Sequence, residues 1–254
     1  MTSAHTETGV WVRRFHQTPE APVRLVCFPH AGGAASFYFP VSRTLSPKLD
    51  VLAIQYPGRQ DRRHEPAVED VGTLADLIVA ELRPLMDKPL AFFGHSMGAV
   101  VAFEVTRRMA SEGRAPVILF ASGRRAPSAV REEYVHKDTD EKIIAELQRL
   151  SGTDARMLDD EEVLRMILPS LRSDYKAVET YRAEPGATVS CPIDVLIGDD
   201  DPHVTHAEAT RWREHTTGPY DIEVFKGGHF YLNDHAPAVM NRLVTRISAL
   251  HATD

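Results

Sequence analysis

The chain has 254 residues, of which 43% are hydrophobic and 26% are charged, and this is the composition of an ordinary globular protein. A chain of this length buries enough surface to fold without disulfides or a structural metal. Its formal charge of −7 is spread along the sequence, and no concentrated stripe of Lys and Arg indicates nucleic-acid binding.

The start of the chain carries no recognisable targeting segment. It is polar through Thr8 and lacks the apolar core that a signal peptide requires. The Arg13-Arg14-Phe15 triplet resembles a twin-arginine signal, but a polar stretch follows it instead of a hydrophobic one. The longest apolar runs, such as Ala115–Ala121, are about a third of a membrane span. We therefore expect a cytoplasmic protein without a membrane-spanning segment.

Short, almost uniformly apolar runs alternate with helical patterns along most of the chain, which predicts an open α/β sheet with mainly parallel strands. Strands are predicted at Val23–Phe28, Val51–Ile54, Leu90–Phe93, Val117–Phe120, Ile193–Ile197 and Ile222–Phe225, with Trp11–Phe15 as a candidate edge strand. Helices are predicted at Val71–Met86, Met97–Ser111, Ala207–His215 and Ala236–Leu250. The two cysteines, Cys27 and Cys191, adjoin apolar runs and are expected to be buried free thiols.

The alternation stops between Pro127 and Pro185, where no strand is predicted. Two helical patterns, Asp140–Leu150 and Glu161–Tyr181, occupy this segment, and acidic residues from Asp159 onward suit the start of the second. About sixty residues are too many for a simple connection, so we predict a helical cap. The prediction is one α/β domain over residues 1–254 with the cap inserted at residues 127–185; a peripheral structural subdomain is the alternative.

The pentapeptide Gly94-His95-Ser96-Met97-Gly98 has the G-x-S-x-G pattern and joins a predicted strand to a predicted helix. This is the setting of a nucleophile elbow, in which a sharp turn exposes a serine hydroxyl at the start of a helix. A Gly-rich turn without catalytic function is the alternative. The context favours Ser96 as a nucleophile.

A serine nucleophile needs a histidine base that is oriented by a carboxylate, here in the chain order Ser, Asp, His. His229 follows the last predicted strand and a Gly-Gly pair, and His235 is its main rival. Three candidate acids, Asp199, Asp200 and Asp201, follow the strand Ile193–Ile197. Pro202 favours Asp201, because its fixed backbone suits a loop that aims one side chain.

Two histidines beside these acids, His203 and His206, have a spacing that could bind a metal, but no third ligand stands out. We interpret His203 as a solvated loop residue.

The small, Gly-rich run from Phe28 to Ala34 leaves a predicted strand. It could supply one oxyanion-hole N–H, from Ala31, beside the N–H of Met97. The alternative is a tight turn after the strand without a catalytic role, which would require the same glycines.

Taken together, several segments resemble the external, type II thioesterases that accompany polyketide synthases and nonribosomal peptide synthetases. These segments span most of the chain: Phe28–Gly33, Tyr56–Arg62, Phe93–Gly98, Ser122–Pro127, Leu168–Tyr175, Gly198–Val204 and Gly227–Phe230. The resemblance implies an α/β-hydrolase fold with a helical lid and a triad of Ser96, Asp201 and His229, and it is what places the acid at Asp201.

The function implied is hydrolysis of aberrant or stalled acyl groups from phosphopantetheine thioesters on an acyl or peptidyl carrier protein. No metal or organic cofactor is expected, since phosphopantetheine arrives on the substrate. A small-molecule carboxylesterase or lipase with the same triad is the nearest alternative. A catalytically idle hydrolase fold that serves as a binding module is the second.

One apolar face of the second cap helix suggests a substrate channel. Leu164, Leu168, Leu171, Tyr175 and Val178 recur at steps of three and four residues. We expect part of this face, above all Leu171 and Tyr175, to line the acyl channel, with Met166 as an adaptable neighbour. The alternative is that the face packs entirely against the helix Asp140–Leu150.

Overall fold

The computed structural model describes residues 10–150 and 160–251, and its centre is a seven-stranded sheet. The strands are β1 (Val12–Arg13), β2 (Arg24–Phe28), β3 (Asp50–Ile54), β4 (Leu90–His95), β5 (Ile118–Ser122), β6 (Ile193–Gly198) and β7 (Tyr220–Phe225). They lie in the order β1-β3-β2-β4-β5-β6-β7, and only the β1–β3 pair is antiparallel. The predicted α/β class with a mostly parallel sheet is confirmed.

Helices cover both faces of this sheet. They are α1 (Phe39–Leu45), α2 (Val71–Leu82), α3 (Met97–Ser111), α4 (Asp140–Leu150), α5 (Glu161–Thr180), α6 (His206–Thr210), α7 (Tyr231–Asp234) and α8 (Ala236–His251). Alternate residues of β2 face opposite ways: Val26 and Phe28 pack in a core with α2 and α3, whereas Leu25 and Cys27 pack in a core with α1 and α8. Burial on both faces explains why the central strands are uniformly apolar.

Several predicted helices end earlier in the structure than in the sequence analysis. The helix predicted at Val71–Met86 ends at Leu82 and continues as a 3₁₀ turn, Arg83–Leu85, because Pro84 has no N–H to donate. Likewise, α6 gives way to a 3₁₀ turn at Arg211–His215. Two short helices, α1 and α7, were not predicted.

The segment between β5 and β6 contains α4 and α5, as predicted. The Asp160 side chain caps α5 by accepting hydrogen bonds from the N–H groups of Glu162 and Val163. Ile143 of α4 packs against Leu168 and neighbouring apolar residues of α5. The two helices therefore share an apolar interface of their own beside the main cores.

Both cysteines are free and buried, as expected. None of the helices in the described ranges combines the length and the apolar character needed to cross a bilayer. The polar stretch through Thr8 and the acidic residue Asp159, which entered the sequence analysis, lie outside the described residues.

Candidate active site

Ser96 lies at the turn between β4 and α3 in a strained backbone conformation. Its φ of 55° and ψ of −118° place it in a region that side-chain-bearing residues rarely adopt. The Ser96 N–H donates to the carbonyl of Ser122 at 2.8 Å, which ties the turn to the end of β5. The side chain is half-buried and lines a cavity. This is the geometry of a nucleophile elbow.

The two glycines of the pentapeptide are required by close backbone approach. A Cβ on Gly94 would lie 2.2 Å from the carbonyl oxygen of Gly98, and a Cβ on Gly98 would lie 2.0 Å from that of Phe28. Any side chain at either position would push the start of α3 away from the sheet. The G-x-S-x-G pattern therefore follows from packing at this turn.

Asp201 and His229 form a buried hydrogen-bonded pair at the same edge of the sheet. The Nδ1 of His229 lies 2.8 Å from Oδ2 of Asp201, and both side chains are almost fully buried. The other carboxylate oxygen of Asp201 accepts the N–H of His203 at 2.8 Å. Asp201 follows β6 and His229 follows β7, and because these strands are parallel neighbours their carboxyl ends bring the two residues together.

The competing candidates lie elsewhere. Asp199 accepts the N–H of Gly227 at 2.8 Å, and Asp200 is exposed. The Nε2 of His235 contacts the carbonyl of Lys226 at 2.8 Å, outside the cavity lining. Of the three acids and two histidines considered, only Asp201 and His229 are paired with each other.

The electrostatic surroundings suit His229 to accept a proton. Burial lowers the pKa of its imidazole below the ordinary value, and the hydrogen bond and charge of Asp201 oppose this without reversing it. The ring is therefore neutral at pH 7, and a proton on Nδ1 facing Asp201 leaves Nε2 as the acceptor. Ser96 and His229 line the same cavity without a mutual hydrogen bond; such bonds often tighten only when substrate binds.

Two backbone N–H groups at this cavity are available as donors. Met97 begins α3, and Ala31 lies on the loop after β2. Neither N–H donates to an acceptor within the described ranges. Both residues line the cavity beside Ser96, as the oxyanion-hole prediction requires.

The cavity has a volume of about 380 Å³ and extends from Ser96 to the inserted helices. Its apolar wall comes from α4 and α5: Leu147, Leu150, Ile167, Leu171, Tyr175 and Val178. Leu168 of the predicted face belongs to the apolar cluster that contains Ile143 of α4 and lies outside the cavity lining. Part of the α5 face therefore lines the cavity and part of it packs toward α4. The predicted channel lining and the predicted packing against Asp140–Leu150 each describe one part of this face. The prediction for Met166 is wrong, because its side chain is 52% exposed and lies outside the lining.

Charged residues also line the cavity, and sequence reasoning missed them: Arg124, Arg131, Glu133, Glu146, Arg149 and Glu179. His203 also lies here, with Nε2 at 2.7 Å from Glu146, so its interpretation as a solvated residue is wrong. Its hydrogen bond helps to lower the pKa of Glu146 to about 2. Arg124 falls in Ser122–Pro127, a segment that carried the family resemblance, and this was the one signal available for it.

Arg124 differs from the other charged residues of the wall. Its Nε is buried without a hydrogen-bond partner in the part of the chain that the structure describes. Burial, together with the charge of Arg125, lowers the pKa of this guanidinium to about 9. The charge of Arg124 in turn contributes to the lowered pKa of His229.

A serine on a strained strand–helix turn, together with a buried Asp–His pair at the carboxyl edge of a mostly parallel sheet, defines an α/β hydrolase. Comparison with known proteins narrows the class. The sequence model of the thioesterase domain matches residues 23–247. A probable cadicidin biosynthesis thioesterase of Streptomyces griseus is 53% identical over 251 residues, which cover 99% of this chain and 69% of the relative.

Further relatives agree. Thioesterase PikA5 of Streptomyces venezuelae is 50% identical over 93% of this chain and 85% of its own length. The solved structure of the type II thioesterase BorB from the borrelidin biosynthetic cluster superposes with a TM-score of 0.89 at 48% identity, covering 95% of this chain and 99% of BorB. The chain belongs to the thioesterase family, as a type II thioesterase of the polyketide and nonribosomal peptide kind, and its reaction is thioester hydrolysis.

Proposed function

We propose that this thioesterase acts in the cytoplasm and hydrolyses aberrant or stalled acyl groups from phosphopantetheine on an acyl or peptidyl carrier protein. The observation that carries the proposal is the shared cavity of Ser96 and His229, which continues between the inserted helices. A chamber with catalytic groups at one end and apolar side chains beyond them suits an acyl chain. The names of the relatives, which include a probable cadicidin biosynthesis thioesterase, support a thioester substrate.

The reaction would proceed through an acyl-enzyme. The Ser96 oxygen attacks the thioester carbonyl while His229 Nε2 takes the hydroxyl proton. The N–H groups of Met97 and Ala31 stabilise the tetrahedral oxyanion, and the phosphopantetheine thiol leaves with the proton from His229. Water then loses a proton to His229 and attacks the carbonyl carbon of the ester. His229 returns this proton to the Ser96 oxygen as that oxygen leaves, which releases the acid and regenerates the Ser96 hydroxyl.

Asp201 would hold the imidazole in the tautomer that this cycle needs and would stabilise the imidazolium. No step requires a metal or an organic cofactor of the enzyme. Within the described residues, no group of three or more His, Cys, Asp or Glu side chains is placed to hold a metal ion.

The test compares three substrates that share the same acyl group. They are the thioester on holo acyl carrier protein, the pantetheine thioester, and the corresponding oxygen ester. We expect kcat/KM to be highest for the carrier-bound thioester and lowest for the oxygen ester. A preference for the oxygen ester would support the carboxylesterase alternative. Failure of a fluorophosphonate probe to label Ser96 would support the idle-fold alternative.

We further propose that residues 127–185 form a lid over a single domain and that Leu171 and Tyr175 read the acyl chain. Replacing Tyr175 or Leu171 with Ala should change the ratio of kcat/KM between short and long acyl chains. Each lost methylene contact costs about 0.8 kcal/mol, or roughly a factor of four. The measurement is a chain-length series on each variant.

Leu168→Ala is the matched control, because Leu168 lies on the same helix and in the same apolar cluster as Leu171 and Tyr175 but outside the cavity lining. It should lower stability and leave the chain-length profile unchanged. If Tyr175→Ala and Leu171→Ala behave like this control, the lid does not select the acyl group.

A further inference from the structure

A buried ion pair joins the inserted helix α5 to the loop after β3. The guanidinium of Arg59 donates through Nη1 and Nη2 to Oδ2 and Oδ1 of Asp174, at 2.7 and 2.8 Å. The side chains are only 6% and 1% exposed. Burial alone would lower the pKa of Arg59, but Asp174 outweighs it and the net shift is upward, so the guanidinium is charged. This bidentate pairing fixes the helix and the loop in one relative position.

The same two side chains hold the loop that carries Ala31. Asp174 Oδ2 also accepts the N–H of Gly32 at 2.8 Å, and Arg59 Nη1 also donates to the carbonyl of Gly33 at 2.9 Å. The Gly32 N–H belongs to the peptide unit that directly follows Ala31. The orientation of this peptide unit therefore limits the rotation of Ala31, which lines the cavity.

Packing reinforces these hydrogen bonds. Leu171 lies three residues before Asp174 and so on the same face of α5. A Cβ on Gly32 would lie 2.9 Å from Leu171 Cδ1, and the φ of Gly32 is +73°. The helix and the loop are thus in close contact at a position that only glycine can occupy without a shift.

We infer that Asp174 is a positioning residue that sets the oxyanion hole: it aligns the Ala31 N–H only while α5 lies against the loop. Lid position and transition-state stabilisation are thereby coupled through one carboxylate. The inference rests on the proposed mechanism, in which Ala31 is an oxyanion donor. Asp174 itself is absent from the cavity lining. The role in kcat that we assign to it therefore acts through the Ala31 loop and not through contact with the substrate.

The test is Asp174→Asn, read by steady-state kinetics and by the affinity for butylboronic acid, which forms a tetrahedral adduct with an active-site serine. Loss of an oxyanion donor costs about 10²–10³ in kcat. A misaligned donor should cost less, about 10- to 100-fold in kcat, with KM changed by less than about threefold. The boronate affinity should fall by a similar factor to kcat.

Asp194→Asn is the matched control. Asp194 is fully buried and accepts hydrogen bonds from Arg246 Nε and Nη2, both at 3.0 Å, but this pair joins β6 to α8 away from the cavity. Its variant should lose stability while kcat and boronate affinity stay near wild type. Equal losses of kcat in the two variants, or an unchanged kcat in folded Asp174→Asn, would overturn the inference.

If Asp174→Asn does not fold, Arg59→Lys provides the same readouts, because lysine keeps the charge and loses the bidentate geometry. It should lower kcat and boronate affinity together, and unchanged values would reject the coupling. Boronate binding to the wild-type protein and the variants also distinguishes a failure of the positioning role from a failure of the proposed serine mechanism. If boronate binds wild type and Ser96→Ala equally well, the proposed serine mechanism fails; if it binds wild type and Asp174→Asn equally well, only the positioning role fails.

Discussion

Ser96→Ala should lower the turnover of acyl thioesters by about 10⁴-fold or more, because it removes the oxygen that would form the acyl-enzyme. The fold should survive. Ser96 is half-buried, and its hydroxyl makes no hydrogen bond to another described residue, so the substitution leaves no buried partner unsatisfied. The measurements are single-turnover hydrolysis of a propionyl thioester and thermal unfolding of both proteins.

Ser122→Ala is the control for loss of a hydroxyl in the same region. The Ser122 hydroxyl lies 2.9 Å from His95 Nδ1 and 2.7 Å from the Tyr231 hydroxyl, in a buried network outside the cavity lining. Its loss should lower stability much more than turnover. Retention of more than about a tenth of wild-type turnover by Ser96→Ala, a barrier change under about 1.4 kcal/mol, would contradict the covalent mechanism.

Asp201→Asn should lower kcat by about 10³–10⁴-fold with little change in the fold. The amide cannot stabilise the imidazolium, and an NH₂ group facing Nδ1 favours the tautomer that carries its proton on Nε2. His229 would then have no acceptor for the Ser96 proton. The kcat of the variant should be measured across pH, with circular dichroism as the check on folding.

The neighbouring acids provide two matched controls. Asp199→Asn keeps an oxygen that can accept the Gly227 N–H, and Asp200 is exposed, so both variants should stay within about tenfold of wild type. Each differs from Asp201→Asn only in its position along the loop. An inactive Asp200 variant beside an active Asp201 variant would show that the acid has been assigned one residue too late.

The parts that sequence reasoning predicted well depend on local signals. Uniformly apolar runs identify strands that are covered on both faces, and G-x-S-x-G marks a turn where Gly94 and Gly98 leave no room for a side chain. The helices α4 and α5 were recognised from periodicity and from acidic residues at their starts. Errors occurred where local signals compete, as at Pro84, where a 3₁₀ turn replaces the last part of a predicted helix.

By itself, the sequence determined the α/β class, the position of Ser96 on its turn, and the order in which Asp201 and His229 follow it. Only the tertiary structure decided which polar side chains meet. The pair of Arg59 and Asp174 spans 115 positions, and His203 meets Glu146 across 57. Such contacts have no periodicity along the chain, because they depend on how α4 and α5 pack over the sheet edge. Local patterns specify elements, whereas long-range packing specifies the polar contacts that surround the site.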